Sequence, residues 1–439
     1  MSQQPISIVW LRRDLRLHDN AALYHALKSG RPVLPLFIFD REILDKLDDR
    51  RDRRVDFIHQ QIHHIQDELA KMGSGMVVRY GNPIDIWNQL IREYPIEEVY
   101  TNRDYEVYGK ERDGQVAGLL GEHGIGFESF KDQTIFDHDE VLTGGKTPYT
   151  VFTPYSRRWR DTLNDFYLKS YPTEEHFSEF LKLPTPPSIP TLAEMNFEPA
   201  GELFPKQTVG NSLIENYKET RDYPAKPGTS ELSIHLRFGT ISVRDLARQA
   251  EGVGANTTFL NELCWRDFYF QVLHHFPHVE KNSFRREYDN IEWRNNEAEF
   301  EKWCTAQTGY PLVDAGMRQL NTIGWMHNRV RMVTASFLCK HLLIDWRWGE
   351  AYFAKKLRDY DLSANNGGWQ WAAGSGTDAA PYFRVFNPTA QAEKFDPKGE
   401  YIRHWIPEFD SLSYARPMVD HAMARQRAID TYKRGLKGE

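Results

Sequence analysis

Two acids, two asparagines and two glycines crowd among large aromatics in the stretch Leu357-Arg358-Asp359-Tyr360-Asp361-Leu362-Ser363-Ala364-Asn365-Asn366-Gly367-Gly368-Trp369-Gln370-Trp371, a poor recipe for a plain core helix. Glycine lets a backbone approach a flat ligand closely, and the acids can pair with a fixed arginine or a ribose hydroxyl. In Asn261-Glu262-Leu263-Cys264-Trp265-Arg266-Asp267-Phe268, the i, i+3 and i+4 spacing puts Glu262, Trp265 and Arg266 on one helical face. A carboxyl beside aromatics is expensive to bury unless protonated or paired, so its pKa should rise. An exposed Glu–Arg pair is the plainer alternative. Within Trp325-Met326-His327-Asn328-Arg329-Val330-Arg331-Met332, Asn328 and Met332 are i, i+4 neighbours. Arg329 and Arg331 project to other sides, so that one can meet a buried anion and the other solvent or DNA. A helix with solvated arginines fits the same pattern. Gly228-Thr229-Ser230-Glu231-Leu232-Ser233 precedes an apolar run. Free amides and hydroxyls at a helix start hold phosphate, or simply cap the helix.

These motifs sit in a chain too long for one core. Its 439 residues imply two or three domains, since single cores stop growing near roughly 250–300 residues. The composition, 40% hydrophobic and 27% charged, excludes disordered, collagenous and disulfide-scaffold classes. No apolar run approaches the ~18 residues of a membrane span, and the N-terminus lacks the order of a signal peptide. Cys264, Cys304 and Cys339 have no metal-ligand spacing and read as reduced thiols of a cytosolic protein. The net charge of -7 hides an asymmetry: residues 201–439 hold 31 Lys+Arg and 30 Asp+Glu (+1), the first 200 hold 24 and 32 (-8). Nine of the twelve tryptophans also follow residue 201, so the two halves face different tasks.

The elements follow from periodicity. Ile6 to Leu11 and Val33 to Phe39 are continuous apolar runs, as buried parallel strands should be. Between Val55 and Leu69 apolar positions recur every three or four residues, which predicts a helix. Short strands follow at Met76–Tyr80 and Glu98–Tyr100, with a helix from Pro83 to Tyr94 between them. This order predicts an α/β N-terminal domain over residues 1–130 with an open, Rossmann-like parallel sheet. No GxGxxG follows the first strand, so a standard dinucleotide site is not supported there. Clustered prolines mark residues 131–200 as a long connector. An all-α domain over 201–439 has helical tracts at 256–276, 297–307, 311–321, 325–343, 346–359 and 417–435.

Taken together, the four motifs resemble the photolyase/cryptochrome flavoprotein family over nearly the whole chain, from Leu11-Arg12-Arg13-Asp14-Leu15-Arg16 to Lys394-Phe395-Asp396. Within that family the sequence looks like the class I cyclobutane pyrimidine dimer (CPD) DNA photolyases. The resemblance implies an FAD-binding helical domain and light-dependent repair, by electron transfer from excited reduced FAD to a flipped-out dimer. Carried over by position, it places Tyr217, Thr229, Ser230, Glu231, Leu232 and Ser233 on the flavin's phosphate and ribitol portions. It sets Asn365 facing the flavin N5, Arg331 and Asp359 as an ion pair beside the ring, and Asp361 near its C2 and N3 edge. Arg266 and Tyr360 complete the cofactor set. Glu262 is implied to hydrogen-bond the dimer's bases, with Met332 and Asn328 close by and Trp265 and Trp371 flanking them. Arg221, Arg329 and Lys394 are implied to meet the DNA backbone, and Trp369, Trp346 and Trp293 to pass electrons from the surface to the flavin.

Several positions separate the branches. Photolyases for the (6-4) lesion carry paired histidines where this chain has Asn328 and Met332, which disfavours that chemistry. Plant cryptochromes usually carry Asp, and insect ones Cys, at the position of Asn365. A cryptochrome-type photoreceptor without repair activity is the runner-up, and a redox-inert DNA-binding flavoprotein would make Glu262 and both stacking tryptophans incidental. Folate-binding members tend to place Asn-Glu where this chain has Tyr108-Gly109, which weakens a folate antenna and leaves a deazaflavin, a second flavin or no antenna open. The expected partner is damaged DNA, the expected state a monomer without membrane attachment, and the expected location the cytoplasm.

Overall fold

The computed structural model describes residues 4–254 and 257–437. The expected helix start at Asn256 and the outermost residues of the two expected domains lie outside the described residues. Two compact units interleave along the chain, where the sequence reading has three consecutive stretches. One comprises Met1–Glu140, Thr162–Val209 and Glu231–Gly252, the other Val141–Asp161, Gly210–Ser230 and Val253–Glu439. No helix among the described residues is long and apolar enough to cross a membrane.

The first unit is a five-stranded parallel sheet of β1 (Ile6–Leu11), β2 (Val33–Asp40), β3 (Val77–Gly81), β4 (Ile96–Asn102) and β5 (Gly126–Phe130). The strand order β3-β2-β1-β4-β5 reverses between β1 and β4. Each residue of β1 and β2 is buried, which is why both strands are almost wholly apolar. Alternate residues feed opposite faces. Val9, Leu11, Phe37 and Phe39 join one core with Phe57, Ile62 and Leu69 of α1 (Arg53–Lys71), whereas Ile8, Trp10, Leu36 and Ile38 join another with Trp87 and Leu90 of α2 (Pro83–Glu93). Asp52 caps α1 by accepting the Arg54 N–H at 2.8 Å, and Asn82 caps α2 ahead of Pro83, accepting the Ile84 N–H at 3.0 Å. β5 and α3 (Val107–Glu122) carry weak sequence signals, because β5 is an incompletely buried edge and α3 holds four glycines.

The expected connector is not structureless. Phe180 bridges to Val33, and Leu192, Met195 and Phe197 enter the α1-side core. A buried ionic knot ties residues 231–252 into the same unit: the Arg244 guanidinium donates to Asp132 Oδ1 at 2.8 Å and to Asp19 Oδ1 at 3.0 Å, and Arg16 donates to Asp132 Oδ2 at 2.7 Å. At the carboxyl ends of the strands, where such sheets bind ligands, Tyr108 donates to Asp40 at 2.6 Å, and Arg112 lies among Asp40, Asp104 and Asp113. A Cβ on Gly109 would fall 2.5 Å from the Asp104 side chain. The two positions that differ from the folate pattern are thus committed to a local polar network.

The second unit is helical. Its parts that matter below are α4 (Phe152–Thr162), α5 (Thr258–His275), α6 (Asn328–Ser336), α7 (Trp346–Lys356), α8 (Leu362–Ala373) and α9 (His421–Lys437). The expected tract 325–343 is two pieces. Trp325 to His327 precede α6, and a π-helical turn, Phe337–His341, follows it. That turn sends the buried Lys340 Nζ to the Ala373 carbonyl at 2.9 Å, closing the C-terminus of α8, with Nζ also 3.7 Å from the Tyr432 ring centroid of α9. Burial pulls this amine down to about 7.

Replacing Arg244 by Met should leave Asp132 and Asp19 buried with too few partners. A cost of about 3–5 kcal/mol is expected, read as a lower urea midpoint by circular dichroism.

Candidate active site

A cavity of about 390 Å³ opens in the second unit, within the size range of small-molecule sites. Five pieces of chain wall it: Arg221, the α5 residues Glu262, Trp265 and Tyr269, the α6 residues Asn328, Arg329, Arg331, Met332 and Ala335, the stretch carrying Phe353, Leu357, Asp359 and Asp361, and the α8 residues Ala364, Asn365, Gly368, Trp369 and Trp371. Residues more than a hundred positions apart in the sequence thus meet in one concavity.

The two glycines of α8 have different jobs. A Cβ on Gly367 would lie 2.2 Å from the Tyr269 ring, so its absence lets α8 press against α5. A Cβ on Gly368 would meet nothing within 4 Å, which leaves the cavity floor open. Asp361 lines the cavity, yet its Oδ1 caps α8 by accepting the Ser363 N–H at 3.0 Å. Asn365 donates through Nδ2 to Glu350 Oε1 at 2.9 Å and to the Glu350 carbonyl at 3.2 Å, so Oδ1 is the acceptor it can offer the cavity. Tyr360 also hydrogen-bonds Glu350, whose carboxyl burial pushes up. Tyr360 therefore acts one step behind Asn365 and not in the cavity wall.

Charge enters in pairs. Arg331 donates to Asp359 at 2.8 Å and to the Met326 carbonyl at 2.7 Å. Arg329 donates to Asp222 at 2.8 Å and packs 4.3 Å over the Phe395 ring. Glu262 is paired with Arg221. Burial raises the Glu262 carboxyl above its ordinary range, and the Arg221 charge and hydrogen bond only partly oppose this. Burial also pulls His327 down to about 4, and the neutral ring caps α6 by accepting the Arg329 N–H at 3.2 Å.

The cavity gathers Arg221, Glu262, Trp265, Asn328, Arg329, Arg331, Met332, Asp359, Asp361, Asn365, Trp369 and Trp371 from the sequence expectations. Arg266 does not join them. Residues advance about 100° around a helix, so Trp265 and Arg266 flank Glu262 on opposite sides, and Arg266 lies 4.7 Å over Phe270 instead. Tyr217 stands behind the wall, with Arg221 5.3 Å over its ring. Thr229 and Ser230 belong to the second unit and Glu231, Leu232 and Ser233 to the first; none of the five lines the cavity. Ser233 opens the short helix Ser233–Phe238, but Leu232 and not a hydroxyl residue occupies its N-cap. Lys394 lines a neighbouring hollow of about 340 Å³ that also includes Arg329 and Phe395. Trp346 is buried and Trp293 half-buried in the core that holds Trp369; Trp369 meets Trp303 at 6.0 Å, and Trp293 meets Tyr432 at 5.7 Å. Tyr269, Glu350 and Asp222 went unpredicted, because nothing in their local sequence separates them from ordinary helix residues.

The lining suits a flat, polar-edged ligand. Among the described residues, Asp359 Oδ1 and Trp369 Nε1 are buried without a hydrogen-bond partner, an acceptor and a donor on two residues that line the cavity. Residues 259–413 match the family model "FAD binding domain of DNA photolyase", and residues 7–176 match "DNA photolyase". The deoxyribodipyrimidine photo-lyase of Escherichia coli K12 is 38% identical over an alignment covering 98% of this chain and 99% of that protein. A class III photolyase from Agrobacterium tumefaciens superposes with a TM-score of 0.87 at 34% identity, covering 100% and 99% of the two chains. An archaeal photolyase from Sulfolobus tokodaii, crystallised with two FAD molecules, superposes at 0.81 with 32% identity, covering 97% and 99%.

Because Gly368 borders open space, Gly368→Leu should fill the floor and expel the cofactor. The expected result is loss of visible flavin absorption from a protein whose far-UV circular dichroism is unchanged.

Proposed function

The chain belongs to the DNA photolyase family, and on that premise we propose that it repairs cyclobutane pyrimidine dimers in DNA using light. FAD, for which Asn365, Asp359, Arg331, Asp361 and Trp369 supply the cavity's polar edge, contributes the photoexcited electron that opens the cyclobutane ring when bound in its reduced state. The protein supplies position and field. A dimer inside a duplex cannot reach a buried cofactor, so it is flipped out, and its weakened pairing and stacking lower the cost. The faces of Trp265 and Trp371 then hold it, each base–aromatic stack contributing about 1–3 kcal/mol. Arg329, Lys394 and Arg221 receive the backbone, and Trp346 and Trp293 form the route from Trp369 to the surface. The reading makes the protein a cytoplasmic monomer whose partner is damaged DNA.

The observation that carries this reading is Glu262: a carboxyl raised by burial, beside a stacking tryptophan, in the cavity that holds Asn365 and the Arg331–Asp359 pair. In its protonated form it donates a hydrogen bond to a dimer carbonyl as negative charge develops there, stabilisation of the oxyanion kind. Asn328 and Met332, which carry no titratable proton, support a reaction that needs ring splitting and no acid pair at those positions.

The reduced protein should convert a thymine-dimer oligonucleotide to its thymines under blue or near-UV illumination, followed by chromatography. Absence of light-dependent conversion overturns the enzyme reading in favour of a photoreceptor. Glu262→Ala should lower the repair yield per bound dimer more than it lowers DNA affinity. Since burial moves the Glu262 pKa upward, the protonated donor persists where an ordinary glutamate is ionised. Yield per bound dimer should therefore fall as pH rises through that raised range, and Glu262→Gln, which keeps a donor, should flatten the fall.

A further inference from the structure

The Trp265 wall has a second layer, drawn from a part of the chain that its prolines and lack of periodicity mark as connector. The Phe152 ring lies flush against the Trp265 indole, with centroids 3.5 Å apart and planes 6° from parallel. Phe152 is buried and does not line the cavity, whereas Trp265 does, so Phe152 covers the indole from behind. Its ring also meets Phe268 edge-on at 5.7 Å.

The segment that carries Phe152 is bolted to α5 at three further points. Gln271 Nε2 donates to the Tyr149 carbonyl at 2.9 Å, the buried Trp159 Nε1 donates to Asp267 at 3.0 Å, and Arg160 donates to Asn261 at 3.3 Å. The Asp378 carboxyl lies near enough to the Phe152 backbone for that amide to oppose the rise that burial imposes on the acid. Asp378 adopts a left-handed backbone with φ of 50° in the turn after α8, the helix that carries Trp371. The backing of one tryptophan wall thereby comes close to the turn that follows the helix of the other. A residue held in that conformation marks a place where surrounding structure over-determines the backbone.

We infer that Phe152 is a positioning residue for lesion capture, holding the Trp265 indole in a fixed plane so that a flipped pyrimidine stacks on a surface already ordered. An indole on a helix surface otherwise turns about two side-chain torsions, and freezing them on binding subtracts from affinity. A flat ring lying face to face with it removes that freedom beforehand by filling the space into which the indole would turn. The inference rests on the reading of the cavity as the seat of the dimer, and it extends the lesion-binding machinery into α4.

The test uses the flavin-loaded full chain with dimer-containing and undamaged oligonucleotides of one sequence. Phe152→Leu keeps apolar volume but has no flat face, and Phe152→Tyr restores the face. With stoichiometric flavin and wild-type affinity for undamaged DNA showing a folded protein, Phe152→Leu should bind the dimer about tenfold more weakly. Its KM should rise in parallel while kcat at saturating lesion stays, and Phe152→Tyr should recover wild-type values. Wild-type dimer affinity in Phe152→Leu, a fall in kcat without a rise in KM, or failure of Phe152→Tyr to rescue each overturns the inference while leaving the lesion-seat reading in place. A wild-type protein that binds both oligonucleotides equally takes down that reading and this inference together.

Discussion

A charge taken out of water must bring its partner with it, and the helical unit is organised around that constraint. Arg331 with Asp359, Arg329 with Asp222 and Arg221 with Glu262 all stand at or beside one cavity in an otherwise apolar core. Each pair sets a guanidinium against a carboxyl beside the flat aromatic faces of the concavity. The pairs also differ. Glu262, whose carboxyl burial raises, lines the cavity together with Trp265 and Arg221. Its environment separates its protonation behaviour from that of an ordinary surface glutamate.

Pairing alone does not place these groups within reach of one another. That is done by packing. The missing Cβ of Gly367 lets α8 lie against the Tyr269 ring of α5, and Lys340 closes the last turn of α8 onto the π-helical turn after α6. The three helices that carry the cavity are consequently held by contacts whose tolerance is below a methyl group. Asn365 is oriented by Glu350, and Glu350 by Tyr360, so even the amide that faces the cavity is set by residues behind it.

The parallel sheet follows a separate logic. Its central strands are apolar on both faces because helices cover both, and its strand order reverses beside β1. The carboxyl-end crevice that this creates holds an arginine–aspartate network with Tyr108 at its edge. Arg244, late in the sequence, belongs to this unit because two buried aspartates, Asp19 and Asp132, require its charge.

Local order and residue chemistry were legible from the chain itself. Continuous apolar runs marked β1 and β2, three-to-four spacing marked α1, and the amide, acid and aromatic clusters marked twelve of the cavity's residues, because strand period, helix period and burial cost act over neighbouring positions. Where neighbours do not decide, the sequence was silent or misleading. Glu262 has Arg266 at a favourable spacing, yet the partner is Arg221 from another segment, while the Arg266 guanidinium lies over the Phe270 ring. Phe152, Tyr269, Glu350 and Asp378 carry no local mark, and the stretch read as a long connector supplies both part of a core for the sheet and a backing for Trp265. Which charges pair, which rings face each other and which glycine opens a cavity are set by distances across the fold, and those are fixed only when non-local packing chooses among partners that the sequence offers equally.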